Sequence, residues 1–281
     1  MTFSIVARSA EGDRWGVAVA SKFLAAGAVV PGVRAPLGAI ATQSFANLRY
    51  LPDGFALLAE GRSAQEALDA LIAADDGRDQ RQAGIVDGQG GASTFTGADC
   101  MTWAGGVTGP GYAIQGNILT GPEVVAAMEA AFIASGAAEP LAHRLHAALL
   151  AGDRAGGDSR GRQSAAVLVG GVGAGYGGGS DIAVDLRVDD HHDPVVEVGR
   201  LLGIHDLLFG KPAEAWPLEA ETADRLRQAL DALGYDDPDL ERALERAAGV
   251  ENLEERLLPG AVDPVVLAYL EDRAAARHSA N

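Results

Sequence analysis

Along the first part of the chain, apolar residues alternate with small or polar ones over short stretches that glycine-rich clusters interrupt. Residues Thr2 to Ala7 predict a strand, Ser9-Ala10-Glu11-Gly12-Asp13 a turn, and Trp15 to Ala20 a second strand paired with the first. Leu37 to Gln43 predicts a third strand. Helices follow from about Asp53 to Glu60 and from Ser63 to Ala74, the second opened by the capping box Ser63-Ala64-Gln65-Glu66. Gln82 to Asp87 and Ala92 to Thr96 flank Gly88-Gln89-Gly90-Gly91 as a hairpin, and Tyr112 to Gly116 predicts a strand leaving a glycine-rich loop. Helical spacing then returns from about Pro122 to Ala134 and from Pro140 to Leu150. Ser164 to Val169 and Ile182 to Val188 form a further hairpin around Gly171 to Gly179, and Asp193-Pro194 opens a helix reaching about Phe209.

Strands, two helices, strands, two helices, strands and a helix suit two sheets with helix pairs outside them better than the strict alternation of a doubly wound sheet. The fold class expected is therefore α+β. Near Gly210-Lys211-Pro212 the texture changes: Thr222 to Leu233, Asp239 to Ala248 and Asp263 to Asp272 are amphipathic segments rich in Glu, Arg and Leu. This places a main domain over 1–209 and a small all-α module over 213–276.

The 281 residues are 48% apolar but only 5% aromatic, and 37 are glycine, so the core is expected to be built from small side chains packed closely. A formal net charge of −17 repels phosphate backbones and anionic lipid surfaces, which argues against nucleic acid and membrane as partners. Cys100 is the only cysteine, excluding an internal disulfide and a thiolate metal cluster within one chain. The first residues show no basic leader followed by a long apolar run, so a cytoplasmic location is expected.

Three motif matches lack the context that would give them meaning. Gly173-Ala174-Gly175-Tyr176-Gly177-Gly178 fits a dinucleotide fingerprint but sits between two strands rather than between strand and helix. Gly157-Asp158-Ser159-Arg160-Gly161 fits a nucleophile elbow but runs from helix into strand. Asp189-Asp190-His191-His192-Asp193 gathers potential metal ligands, yet consecutive residues rarely converge on one ion, and Asp193 serves as a helix cap. No cofactor and no metal is expected.

The N-terminus is the sharpest signal. When threonine is the first residue, its own α-amine, with a pKa near ~8, can take the hydroxyl proton. Methionine before a residue as small as Thr2 is commonly removed. Lys22, one of two lysines in the chain, ends the strand paired with that of Thr2, and a nearby ammonium would lower the amine's pKa or hold a substrate carboxylate.

Thr2-Phe3-Ser4-Ile5-Val6-Ala7-Arg8, Gly16 through Phe23 (GVAVASKF), Ala41-Thr42-Gln43-Ser44-Phe45-Ala46-Asn47, Gln115-Gly116-Asn117-Ile118-Leu119 and Asp185 through His191 (DLRVDDH) together resemble the bacterial domain of unknown function 1028 over about 1–209. The resemblance implies a four-layer α-β-β-α sandwich of the N-terminal-nucleophile (Ntn) hydrolase type, related to proteasome subunits. On that likeness Thr2 occupies the nucleophile position, and the Ser21-Lys22 pair lies where an acid-base pair follows the second strand, with Ser21 where the proteasome-like pattern has Asp. Thr42, Gln43 and Ser44 would supply backbone N–H groups or the Gln43 amide to a developing oxyanion. Gln115 and Asn117 would border the nucleophile from the far side, while Asp158, Ser159 and Ser164 fall where the N-terminal amine is oriented. The tail from about Pro212 to Asp272 resembles the peptidoglycan-binding module often attached to that family; a docking or homo-oligomer-forming role is expected for it. The resulting expectation is an amidohydrolase acting on an amide or peptide-like bond of a small metabolite, through Thr2. The competing readings are a non-catalytic metabolite-binding protein on the same fold and hydrolysis with another base.

Overall fold

The computed structural model describes residues 2–279, so Met1, whose removal the nucleophile reading requires, lies outside the described residues. The chain divides into two compact units, one ending at Leu202 and the other beginning at Gly203.

The first unit contains β1 (Thr2–Arg8), β2 (Trp15–Ser21), β3 (Pro31–Arg34), β4 (Gly38–Ser44), α1 (Tyr50–Ala59), α2 (Ala64–Ala73), β5 (Arg81–Asp87), β6 (Ala92–Thr96), β7 (Gly105–Gly109), β8 (Tyr112–Asn117), α3 (Glu123–Ala134), α4 (Leu141–Arg154), β9 (Ser164–Gly170) and β10 (Ile182–Val188). The helix α5 (Pro194–Phe209) crosses the division. Six strands form one antiparallel sheet in the order β10-β9-β2-β1-β8-β7, and four form another in the order β3-β4-β5-β6. The predicted elements form with shifted ends. β3 and β7 were not predicted, because one has four residues beginning at a proline and the other is GGVTG, neither of which shows a strand pattern.

Alternation along each strand sorts the residues into layers. Phe3, Ile5 and Ala7 of β1 turn toward α3 and α4 and pack with Met128, Leu145 and Leu149. On the other sheet, Ile40 of β4 and Ile85 of β5 pack with Phe55 and Leu68 of α1 and α2. Between the sheets lie Val6, Val17, Val19, Ala39, Ala41 and Val86. The layer order is thus helix, sheet, sheet, helix. Packing on both faces explains the small-residue bias. A Cβ on Gly16 of β2 would stand 2.6 Å from the Leu145 side chain of α4 and 2.9 Å from Val169. Ser63 and Glu66 cap α2 reciprocally, as their spacing predicts.

The second unit contains β11 (Trp216–Pro217), α6 (Ala220–Leu233), α7 (Leu240–Glu251), β12 (Ala261–Val262) and α8 (Pro264–Ser279), around Leu226, Leu230, Leu244, Ala247, Leu267 and Leu270. Arg256 and Asp263 form a buried ion pair in it, and the Arg256 guanidinium also donates to the Asp206 and Leu207 carbonyls, each at 2.6 Å. Among the described residues no helix is long and apolar enough to cross a membrane.

Candidate functional site

The residues that face the space between the sheets are apolar at one end of each strand and polar at the other. β1 presents Thr2 and Ser4 before Val6, β2 presents Val17 and Val19 before Ser21, and β8 presents Ala113 before Gln115 and Asn117. From the facing sheet, β4 presents Ala39 and Ala41 before Gln43, and β5 presents Gln82 before Val86. Register brings the polar ends together: Thr2 lies opposite Asn117, Ser4 opposite Gln115, Ser21 opposite Ser164, and Gln43 opposite Gln82.

The result is a buried hydrogen-bonded array. Thr2 Oγ1 and Ser21 Oγ are 3.1 Å apart. The Gln43 amide nitrogen donates to the Thr2 carbonyl (3.2 Å), to Gln82 Oε1 (2.8 Å) and to the Gln115 carbonyl (3.4 Å), while its oxygen accepts from Ser4 Oγ at 2.6 Å. Gln82 Nε2 donates to the Gly116 carbonyl (2.7 Å) and to Thr96 Oγ1 (2.9 Å), and Asn117 Nδ2 donates to Gln82 Oε1 at 2.9 Å. Gln115 Nε2 donates to Ser4 Oγ at 2.7 Å. The four amide residues Gln43, Gln82, Gln115 and Asn117 are each at most 1% exposed. Burying so many amides is costly unless each finds partners, and here nearly all do; the exception is Asn117 Oδ1, which has none. Gly84 is part of this fit, because a Cβ there would meet Gln115 Oε1 at 2.2 Å.

Thr2 lines an open cleft of about 480 Å³ with Gln43, Ser44, Arg81 and Arg160, the rest of its wall being largely apolar. Ser44 has φ +70°, so the chain turns left-handed as β4 ends at the cleft. Arg81 is fixed by Asp75, whose carboxylate accepts from its Nε at 2.9 Å, and the guanidinium holds that carboxyl well below the usual carboxylate range.

Other expected site residues fall into different roles. The Lys22 ammonium is exposed and donates to the Arg162 carbonyl at 3.3 Å, and the Lys22 backbone N–H donates to Asp158 Oδ2 at 2.8 Å. Gln43 is unsuited to an oxyanion, since its amide hydrogens are committed to the array. Thr42 is fully buried and its hydroxyl donates to the Asn47 carbonyl at 3.3 Å, away from the cleft wall. Asp158 accepts from the backbone of Arg160 at 2.9 Å as well as from Lys22. Ser164 donates to the Phe23 carbonyl at 2.6 Å and accepts from Ala26 N at 3.0 Å, latching the segment after β2. Sequence reading missed Gln82, Ser4, Arg81 and Asp75. A polar residue at one end of an otherwise apolar strand was the available signal for the first two. No group of His, Cys, Asp and Glu suited to a metal ion occurs among the described residues.

Residues 2–198 match the family of unknown function DUF1028, and residues 207–270 match the domain family described as "Putative peptidoglycan binding domain". The crystal structure of a DUF1028 protein from Silicibacter pomeroyi superposes with a TM-score of 0.65 at 28% identity, covering 81% of this chain and 94% of that one. No curated protein matches the chain.

Proposed function

The chain belongs to the DUF1028 family, which has no assigned activity, and from the site we propose an amidohydrolase of the N-terminal-nucleophile type acting on a small molecule, with Thr2 as nucleophile after loss of Met1. The observation that carries this reading is the Thr2 hydroxyl, set 3.1 Å from the Ser21 hydroxyl where β1 meets the cleft, with the Thr2 carbonyl anchored by Gln43. The helix-sheet-sheet-helix order supports the kinship with Ntn hydrolases.

In this mechanism Thr2 Oγ attacks the amide carbon while the freed α-amine of Thr2 takes the hydroxyl proton, and Ser21 orients that hydroxyl. The C–N bond breaks, the proton passes to the departing nitrogen, and an ester on Thr2 remains. Water then attacks the ester, releasing a carboxylic acid and restoring the hydroxyl. Gln43, Gln82 and Asn117 act by holding the start of β1 rigid, a positioning role.

The test is acylation of the N-terminal peptide by a β-lactone probe, read by mass spectrometry. An adduct on Thr2 is expected in protein lacking Met1, retained to a lesser degree in Thr2→Ser and lost in Thr2→Ala. Retained Met1 in fully active protein would eliminate the amine as base.

A further inference from the structure

Resting on the hydrolase reading above, we infer that the substrate class is an N-acyl amino acid, its apolar acyl group lying along the cleft wall and its carboxylate on Arg81. Water then converts it to the apolar carboxylic acid and the free amino acid.

The first observation is the wall. Phe23, Phe45 and Leu48 line the cleft and remain 52%, 58% and 53% exposed, with Val29 and Val30 behind them. Large apolar side chains gathered at one concavity mark a site that an apolar ligand covers. A volume of about 480 Å³ is that of a small-molecule pocket.

The second is Arg81, the first residue of β5, opposite Ser44 in register. Its Nη1 donates to the Phe45 carbonyl at 2.6 Å, and its Nε and Nη2 donate to Asp75 at 2.9 and 3.5 Å. Those contacts use three of the five guanidinium N–H groups and leave one on each terminal nitrogen of a residue that lines the cleft. Asp75 is itself held by Asn47 Nδ2 at 2.9 Å and Gly77 N at 2.8 Å, so the guanidinium is oriented before any ligand arrives. A planar fork with free donors suits a carboxylate better than a point charge would. In a chain of net charge −17, an arginine at an apolar cleft is a local exception to the general repulsion of anions. Arg160, the other arginine of the wall, meets Asp158 at 3.3 Å, a longer contact than the 2.9 Å that orients Arg81, and is assigned no part in the discrimination.

The test uses the full chain carrying Thr2→Ala, titrated by calorimetry with N-octanoylglycine and with its methyl ester, so that binding is read without turnover. The free acid is expected to bind at least about tenfold more tightly than the ester, since a charge-assisted hydrogen bond is at stake. Adding Arg81→Gln should abolish the preference, whereas adding Arg160→Gln should leave it. Equal affinities for acid and ester, no binding of either, or a preference that survives Arg81→Gln would each overturn the inference. Glycine release by the unmutated protein separates the two readings. Carboxylate-dependent binding without release sustains the ligand class and sinks the hydrolase; cleavage that ignores the carboxylate does the reverse.

Discussion

Replacing Gln82 with leucine tests whether the buried amides act as one array. The side chain is wholly buried, accepts from Gln43 and Asn117 at 2.8 and 2.9 Å, and donates to the Gly116 carbonyl, Thr96 Oγ1 and the Gly105 carbonyl at 2.7, 2.9 and 3.3 Å. Leucine fills similar space and offers none of these. Gln43 Nε2 keeps the Thr2 carbonyl, but Asn117 Nδ2 is left with a contact of 3.5 Å to that same atom, and the Gly116 carbonyl loses its side-chain donor. Two groups orphaned at about 1–3 kcal/mol each, less roughly 1 kcal/mol regained from apolar burial, give a loss of about 3 kcal/mol. For a unit of this size that lowers Tm by about 6–12 °C. Calorimetry should show the shift in the transition that unfolds the first unit. A shift under about 2 °C would mean that the remaining amides re-pair without Gln82, refuting the cooperative reading. Gln82→Glu adds a sign. Its ionised carboxylate would face the Gly116 and Gly105 carbonyls, so the folded state favours the neutral acid and the folded pKa is raised. Stability should then be full below the ordinary carboxyl pKa of about 4.3 and fall as pH rises above it.

Gly84→Ala should destabilise the first unit by about 1–3 kcal/mol and weaken activity together, because its methyl displaces Gln115 from Ser4 and Thr94; urea melts and turnover measure the two. Asp263→Ala should cost the second unit about 3–5 kcal/mol by leaving Arg256 buried without its carboxylate, and Asp263→Asn, which keeps a cap on Val265 N, should cost less; both are read by chemical denaturation. Burial pushes the His146 pKa down while its Nε2–H donates to the Val195 carbonyl at 3.0 Å, so the folded state holds the neutral ring. Its stabilisation is present above the unfolded pKa of about 6.5 and is lost as pH falls below it; His146→Asn should flatten that part of the melting-temperature profile.

Much of the first unit was legible because strands buried on both faces read as runs of Val, Ile and Ala, and because Ser63 and Glu66 announce the start of α2. That Thr2 and Ser21 lie side by side was legible from the hairpin that pairs their strands. The partners of Gln43 were not, since its bonds reach across to Thr2 and Gln115 on the other sheet, and strand periodicity specifies a face without specifying what stands opposite. Lys22 shows the converse limit. The end of a strand fixes where its Cα sits, while a flexible four-carbon stem decides where the charge goes, and here it goes to Arg162. Arg81 reads as one more surface arginine until Asp75 and Phe45 are seen to hold it.

The array between the sheets also bears on how the chain acquires its site. Thr2 reaches Gln43 across 41 positions of sequence and Asn117 across 115, and Ser4 reaches Gln115 across 111. Contacts so distant form late, because each closes a long loop before it stabilises anything. A partly folded chain with its hairpins and helices in place would still lack the cleft floor, which comes into being when the two sheets dock. Ligand binding during refolding should therefore return with the slowest step that restores native structure, making the site a reporter of completed topology.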